Sequence, residues 1–217
     1  MNVEISCGAK EDGIVIGNIY DKYGSQNKIV KWMMQKFELA LSDFVSQASP
    51  ITIHEIGCGE GYWDLRWHEK GLQARGSDFS KKIIEIARGN ASSRGVPTSL
   101  FESKSIYNLS AEQDSADLIV CCEVLEHLED PENGLKALQK VASGYLVASV
   151  PREPIWRVLN LSRAKYVRSL GNTPGHIQHW SKRGFIRLIS KYFDIIETKS
   201  PLPWTMVLCR PKRRIFR

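Results

Sequence analysis

The stretch Ile53-His54-Glu55-Ile56-Gly57-Cys58-Gly59-Glu60-Gly61 decides the fold of this chain. The apolar run from Ile51 to Ile56 is typical of a buried parallel strand, which then breaks into three glycines at alternate positions. Glycines at such a turn let backbone N–H groups approach a ligand, and the N-terminus of a following helix adds a positive dipole end. The spacing is not the Gly-x-Gly-x-x-Gly of dinucleotide folds, because position 62 is Tyr. The stretch therefore predicts a nucleotide cradle.

Further motifs follow the glycines in a fixed order over about 100 residues. Asp78 ends a second strand roughly 20 residues on, the interval at which an acidic side chain meets a ribose in such sheets. Ser105-Ile106 and the run 117–127 come next. Together with Glu-x-Gly-Cys-Gly-x-Gly, this series resembles the class I S-adenosylmethionine (SAM) dependent methyltransferases. The resemblance implies a seven-stranded sheet in the order 3-2-1-4-5-7-6, with the last strand antiparallel.

Alternating strand and helix patterns predict a Rossmann-like α/β fold with a mostly parallel sheet and helices on both faces. The predicted strands are 51–56, 73–78, 98–103, 117–122, 144–150, 193–198 and 204–210, and the predicted helices are 26–47, 62–70, 80–94, 131–142, 155–170 and 181–191. We expect a single domain, 1–217, made of an N-terminal lid helix or cap (1–48), a SAM-binding core (49–151), a substrate-lid insertion after strand 5 (152–180) and a C-terminal helix and strands (181–217).

The resemblance also implies the cofactor site. SAM is the expected methyl donor and S-adenosylhomocysteine the product. Asp78 can accept both ribose hydroxyls, the alternative being that it caps a helix N-terminus. Ser105 stands where the family usually has an aspartate, so that contact with adenine is expected to be weak or absent. The expected cofactor-binding residues are Glu55, Gly57, Cys58, Gly59, Gly61, Asp78, Phe79, Ser105, Ile106 and Cys122.

Methyl transfer from a sulfonium is an in-line displacement that depends mainly on holding the acceptor close to the methyl group in a dry site. For a hydroxyl acceptor a general base helps, and histidine suits neutral pH. The candidate catalytic residues are His127, His176 and His179, with Tyr23 as a lid group. Segment 20–24 resembles the lid of small-molecule methyltransferases, in which an aromatic residue closes over SAM, the alternative being that Tyr23 only packs on the first helix. His54 lies within the first strand and is expected to be packed.

Glu123, Glu126 and His127 have the spacing i, i+3 and i+4, which predicts one shared helix face. Their string resembles the Mg²⁺-binding motif of small-RNA 2′-O-methyltransferases and of ubiquinone-biosynthesis O-methyltransferases, in which a later histidine completes the site. The same string occurs in metal-free relatives, where it lines the pocket. The metal-free interpretation is favoured and no metal ligand is assigned, although a divalent metal stays open.

The net charge of +6 is unevenly distributed. Residues 1–151 hold 15 Lys and Arg against 21 Asp and Glu, whereas residues 152–217 hold 15 against 3. A basic C-terminal part indicates an acidic substrate, nucleic acid, an anionic membrane surface or only a solvated face. Segment 155–170 and the tail 210–214 could dock together on anionic lipid, but a substrate-lid helix with a solvated tail is favoured. Nucleic acid is disfavoured as a partner, because no separate RNA-binding module is present.

Five cysteines without a Cys-x-x-Cys pair indicate a reducing compartment. No apolar run approaches a membrane span, and the first residues lack a signal-peptide pattern. We therefore expect a cytoplasmic protein, with its oligomeric state undetermined. The expected function is SAM-dependent methyl transfer to a small-molecule, lipid-linked or glycan-linked acceptor, favouring a hydroxyl oxygen. The alternatives are an RNA 2′-O-methyltransferase-like enzyme with a divalent metal and a non-catalytic SAM-binding protein.

Overall fold

Nine strands are found in the computed structural model, which describes residues 3–11 and 14–212. Two of them form a small antiparallel hairpin and seven form the central sheet in the order β5-β4-β3-β6-β7-β9-β8. When the seven strands of this sheet are numbered 1 to 7 along the chain, the order is 3-2-1-4-5-7-6, as predicted. β9, the last strand, runs opposite to the other six. The strands are β1 (Lys10–Glu11), β2 (Ile14–Val15), β3 (Thr52–Ile56), β4 (Gln73–Asp78), β5 (Phe101–Ser103), β6 (Ala116–Cys122), β7 (Ala142–Pro151), β8 (Phe193–Lys199) and β9 (Trp204–Pro211).

Five of the seven helices in the described residues begin after a residue whose side chain caps the first turn, whereas the helices that follow Gly61 and Pro154 have no side-chain cap. Asn27 accepts from the backbone N–H groups of the first turn of α1, Ser80 caps α3 and Ser181 caps α7. Proline is the first residue of α5, where its missing N–H is not needed. The helices are α1 (Lys28–Ala48), α2 (Tyr62–Glu69), α3 (Lys81–Ser92), α4 (Ala111–Asp114), α5 (Pro131–Val141), α6 (Ile155–Ser162) and α7 (Lys182–Ile189).

Helices bury apolar side chains against both faces of the sheet, as predicted. On one face, Phe37 and Phe44 of α1 pack with Val147 of β7. On the other face, α5 and α7 pack against β6, β7 and β9, with Leu138 and Phe185 fully buried. Within the described residues, no helix combines the length and apolarity needed to cross a membrane.

Several elements differ from their sequence predictions. The first strand of the central sheet begins at Thr52, so Ile51, predicted to be part of it, lies outside and is exposed. The predicted strand 98–103 is reduced to β5, because Thr98–Leu100 forms a 3₁₀ turn. The predicted helix 155–170 ends at Ser162, since Ala164 and Tyr166 adopt positive φ angles of 52° and 54° that no α-helix accommodates. In the predicted helix 26–47, Ile29 and Trp32 fall at the helical spacing of the apolar residues, yet both side chains are exposed.

Strand direction places the insertion at the carboxyl ends of the parallel strands and the tail at their amino ends. Pro151, at the carboxyl end of β7, pairs with Trp204 at the start of β9. Because β9 then runs back, Arg210 lies at the amino edge, and Arg213 and Arg214 fall outside the described residues. The prediction that segment 155–170 and the tail dock on one surface is therefore wrong for the described part of the tail.

Candidate active site

The glycine loop between β3 and α2 has the backbone conformation that its sequence predicts. Gly57, Gly59 and Gly61 have φ angles of 82°, 54° and 79°, a region that side chains rarely adopt. A Cβ at Gly61 would lie 2.6 Å from Phe101 Cζ, so this glycine is needed for packing. A Cβ at Gly59 would meet no protein atom within 4 Å, so this glycine presents open backbone.

Asp78 ties the loop to the end of β4. Its Oδ2 accepts from the Gly59 N–H at 3.2 Å and its Oδ1 from the Ser80 N–H at 3.1 Å. The α3 N-cap is Ser80, whose Oγ accepts from the Ile83 N–H, so the alternative role of Asp78 as that cap is wrong. Burial raises the pKa of Asp78 to about 6. Each carboxylate oxygen keeps acceptor capacity for a ribose hydroxyl.

A pair of buried carboxyl groups lies beneath the loop. Glu55 on β3 and Asp64 on α2 are both buried and hydrogen-bond to each other, and Glu55 Oε2 and both Asp64 oxygens have no other hydrogen-bond partner. Burial raises the pKa of Asp64 to about 7, and burial together with the Asp64 charge raises that of Glu55. The raised pKa values, together with the hydrogen bond between the two carboxyl groups, indicate that the pair retains a proton.

The predicted adenine-side residues lie at the ends of β4 and β5. Phe79 is half exposed, whereas the Ile106 side chain is buried in the core with Leu125 and Leu135. Ile106 can therefore offer adenine only its backbone, and Ser105 caps the short turn that follows it. Cys58 is buried at the loop, and burial raises the pKa of both Cys58 and Cys122, so neither thiol is a nucleophile.

The N-terminal segment covers the loop. The Tyr23 ring stacks on the ring of Tyr62, the residue that follows Gly61, with the ring centroids 3.6 Å apart. Glu60, which sequence reasoning did not assign, anchors the segment by accepting from the backbone N–H groups of Ser6 at 3.1 Å and Asn18 at 2.7 Å. The segment is therefore attached to the cofactor loop itself, as a lid requires.

The acceptor half brings together residues that are distant in sequence. One carboxylate oxygen of Glu126 and one ring nitrogen each of His127 and His176 all lie within 4.8 Å of one another. Glu126 is buried and neither of its oxygens has a partner. His127 Nδ1 lies 2.9 Å from the Gly175 carbonyl oxygen, so Nδ1–H donates there and Nε2 keeps its lone pair. Burial and the neighbouring His127 lower the pKa of His176 to about 3, so its ring is neutral.

Glu123 does not join this cluster, and the prediction of one helix face for Glu123, Glu126 and His127 is wrong. Only Leu125–His127 forms a 3₁₀ turn, and Glu123 has a φ of 61°. Its Oε1 accepts from Ser149 Oγ at 3.0 Å and its Oε2 from Trp204 Nε1 at 2.6 Å. Burial raises the pKa of Glu123 to about 7, although the Lys22 ammonium opposes the shift.

His179 is not part of the group formed by Glu126, His127 and His176, although its charge adds to the lowering of the His176 pKa. Its Nδ1 is 3.9 Å from Glu153 Oε1, within the insertion. His54, by contrast, is buried as expected, with its ring nitrogens 2.9 Å from the Asp114 carbonyl oxygen and 3.0 Å from Ser77 Oγ. The candidate set for chemistry is thereby reduced to His127 and His176.

An aromatic wall beside the histidines had no local sequence signal. Trp156 of α6 stacks near His176 with centroids 5.8 Å apart and lies 5.9 Å from Trp204. Trp156 Nε1 donates to Thr173 Oγ1 at 2.8 Å, which fixes the indole. The residues come from α6, the loop after it and β9, so only the fold places them together.

Comparison with known proteins identifies the class. A family model described as a methyltransferase domain matches residues 30–193, about three quarters of the chain. The chain belongs to this methyltransferase family. It is a class I SAM-dependent methyltransferase, which agrees with the glycine loop, Asp78 and the strand order. Membership of this family agrees with the SAM cofactor that the sequence predicts.

Individual relatives are distant. The methyltransferase is 29% identical over 147 residues to a ubiquinone biosynthesis O-methyltransferase of Chromobacterium violaceum, covering 59% of this chain and 63% of the relative. It thus spans somewhat less than two thirds of that protein's length. The crystal structure of the PH0226 protein from Pyrococcus horikoshii OT3 matches with a TM-score of 0.70 and 17% identity, covering 89% of this chain and 97% of that one. Magnesium protoporphyrin IX methyltransferase from Synechocystis PCC 6803 with bound S-adenosylhomocysteine matches with a TM-score of 0.64 and 18% identity, covering 87% and 90%.

Proposed function

We propose that this methyltransferase transfers the methyl group of SAM to a hydroxyl oxygen of a small-molecule, lipid-linked or glycan-linked acceptor. The observation that carries the proposal is the neutral histidine pair beside a buried carboxylate, with the free Nε2 of His127 held by the Nδ1–H bond to Gly175. The name of the Chromobacterium relative, an O-methyltransferase, supports an oxygen acceptor.

The chemistry follows from the residues on each side of the methyl group. The acceptor oxygen forms its bond to the methyl carbon while the sulfur–methyl bond breaks and its electron pair returns to sulfur, giving neutral S-adenosylhomocysteine. The hydroxyl proton passes to Nε2 of His127 as the oxygen attacks. Trp156 and Trp204 supply an apolar wall, and Tyr23 over the loop excludes water from the donor side. Positioning and a local base therefore account for the proposed reaction.

His127→Ala tests the role of the base. General-base catalysis contributes about 10²- to 10⁴-fold, so kcat for O-methylation should fall by at least about 100-fold while the SAM dissociation constant stays unchanged. His68→Ala is the matched control, because His68 is an exposed histidine near the end of α2. Burial lowers the pKa of His127, so the acidic limb of wild-type kcat should lie below pH 6.5 and vanish in His127→Ala. The protein would be incubated with labelled SAM and either phenolic compounds or a lipid extract as acceptors. Mass spectrometry of the product would identify the methylated atom. Methylation of nitrogen or carbon would refute the proposal.

A second candidate is a metal-assisted form of the same transfer, favoured by the unpartnered Glu126 carboxylate. Glu126, His127 and His176 offer one carboxylate and two imidazole donors within 4.8 Å, and the His127 bond to Gly175 resembles the outer support that metal-binding histidines have. A divalent cation held there would polarise the acceptor hydroxyl. The favoured metal-free form predicts unchanged turnover after EDTA dialysis. Loss of activity that Mg²⁺ or Mn²⁺ restores would select the metal-assisted form.

A further inference from the structure

Exposed aliphatic side chains are concentrated on the insertion that follows β7. Val158 is 59% and Leu170 71% exposed, and Leu161, Val167 and Ile177 are also exposed. Single exposed apolar residues are ordinary, but five within 20 residues of one segment indicate an interaction surface. Three exposed cations lie among them. We call this set the insertion surface: Val158, Leu161, Val167, Leu170 and Ile177, with Arg163, Lys165 and Arg168.

The charge of this segment has one sign. Between Pro154 and Phe193 the sequence contains no Asp or Glu. Residues 152–180 carry five Lys and Arg against Glu153 alone, and Glu153 lies 3.6 Å from Arg157, the distance of an ion pair. The exposed cations of the insertion surface therefore have little acidic compensation nearby, which favours an anionic partner.

The insertion surface belongs to the same segment as one wall of the predicted acceptor site. α6 follows the carboxyl end of β7, and its Trp156 forms part of the acceptor wall. Lys165 lies 4.8 Å from the ring centroid of Tyr20, which links the insertion to the N-terminal lid. A partner bound here would therefore lie beside the acceptor entrance.

Two other kinds of occupant fit less well. RNA binds through base stacking on aromatic side chains as well as phosphate contacts, whereas the apolar members of this surface are all aliphatic. A second copy in a two-fold dimer would place the same positive surface against itself. Aliphatic side chains that enter the acyl boundary, flanked by Lys and Arg at the headgroups, are the pattern of peripheral membrane association.

We propose that the insertion surface docks on an anionic phospholipid bilayer and brings the acceptor site to a lipid-borne substrate. The substrate part rests on the proposed function, whereas the docking does not. Docking combines partial burial of the aliphatic side chains with attraction of the three cations to anionic headgroups. The binding should weaken as salt rises, because the Debye length shortens.

The test is flotation of the full chain with phosphatidylcholine vesicles that contain or lack phosphatidylglycerol, at low and physiological salt. Wild type should bind the anionic vesicles more tightly than the neutral ones. Arg163→Gln with Arg168→Gln should weaken this binding about 30-fold, since each basic residue near an anionic surface contributes about 1 kcal/mol, or about fivefold. Val158→Ser with Leu170→Ser should weaken it about 10-fold or more.

Two matched pairs control for lost charge and lost apolar surface. Lys70→Gln with Lys140→Gln removes exposed cations at the opposite edge of the sheet, and Ile51→Ser with Ile196→Ser removes exposed apolar residues elsewhere. Both pairs should bind vesicles as wild type does. Retained SAM affinity in every variant shows that the fold is intact.

The docking proposal fails if wild type does not prefer anionic vesicles, or if the insertion variants bind like their controls. It also fails if Val158→Ser with Leu170→Ser instead abolishes a dimer seen by light scattering, or a complex with RNA. Because vesicle binding is measured without SAM or acceptor, failure of docking is distinguishable from failure of O-methyl transfer.

Discussion

Gly59→Ala separates the cofactor role of the glycine loop from its folding role. The new Cβ meets no protein atom within 4 Å, so the only conformational cost is that of the positive φ of 54°, about 1–2 kcal/mol. For a chain of this size, this lowers Tm by roughly 2–8 °C. The same Cβ would occupy the space that SAM needs, at an overpacking cost of about 1–3 kcal/mol, so the SAM dissociation constant should rise about 10- to 100-fold.

Two further glycines calibrate this result. Gly95→Ala has a similar φ of 66° and an equally open Cβ away from the loop, so it should lose the same stability and no SAM affinity. Gly61→Ala places its Cβ 2.6 Å from Phe101, so it should lose the most stability, about 2–5 kcal/mol. Calorimetric titration with SAM and thermal unfolding measure both quantities. Equal SAM affinity in Gly59→Ala and Gly95→Ala would refute the assignment of Gly59 to the cofactor surface.

Three other predictions follow from buried groups. Burial raises the pKa of Asp64 and Glu123 to about 7, so the cofactor-free protein should lose stability as the pH rises from about 4 to 7. Over the same pH range, the increase in Tm caused by cationic SAM should grow. The increase caused by neutral methylthioadenosine should not. Tyr23→Ala should raise the SAM dissociation constant about tenfold, because it removes the ring stacked beside the loop. Tyr23→Phe and the exposed control Tyr107→Ala should leave the constant unchanged. Equal SAM affinity in all three variants would exclude the lid role of Tyr23. Trp204→Phe should cost about 1–3 kcal/mol in urea unfolding, because Glu123 loses its donor, and an unchanged midpoint would show that water replaces it.

The donor half of the site is encoded locally, and the sequence could therefore reveal it. Gly57, Gly59 and Gly61 must adopt positive φ angles that other residues avoid, so their spacing is visible in the chain itself. Asp78 stands at the end of the neighbouring strand, at an interval set by one strand–helix–strand unit. Lid contacts such as that of Glu60 were missed, because a glutamate within the loop gives no sign of its distant partners.

The acceptor half depends on contacts between remote segments. His176 approaches His127 only because the insertion folds back to place Gly175 against the His127 ring, and Trp204 reaches Trp156 only because β9 runs antiparallel to β7. Nothing in the local sequence specifies these approaches. The spacing of Glu123, Glu126 and His127 suggested a helix face, yet the hydrogen bonds of Glu123 to Ser149 and Trp204 direct its side chain elsewhere.

The sequence by itself determined the fold class, because the alternation of strand and helix patterns is a local property, and its motifs carried the resemblance that implied the strand order and the methyl donor. Only the tertiary structure decided which histidines meet, which carboxylates are left without partners and which apolar side chains stay exposed. Ile29 and Trp32 illustrate the reason. Apolar residues at helical spacing predict a buried helix face, but a side chain is buried only where a neighbouring element covers it. The predicted donor site could therefore be recognised from short motifs, whereas the predicted acceptor site depends on contacts that exist only in the folded chain.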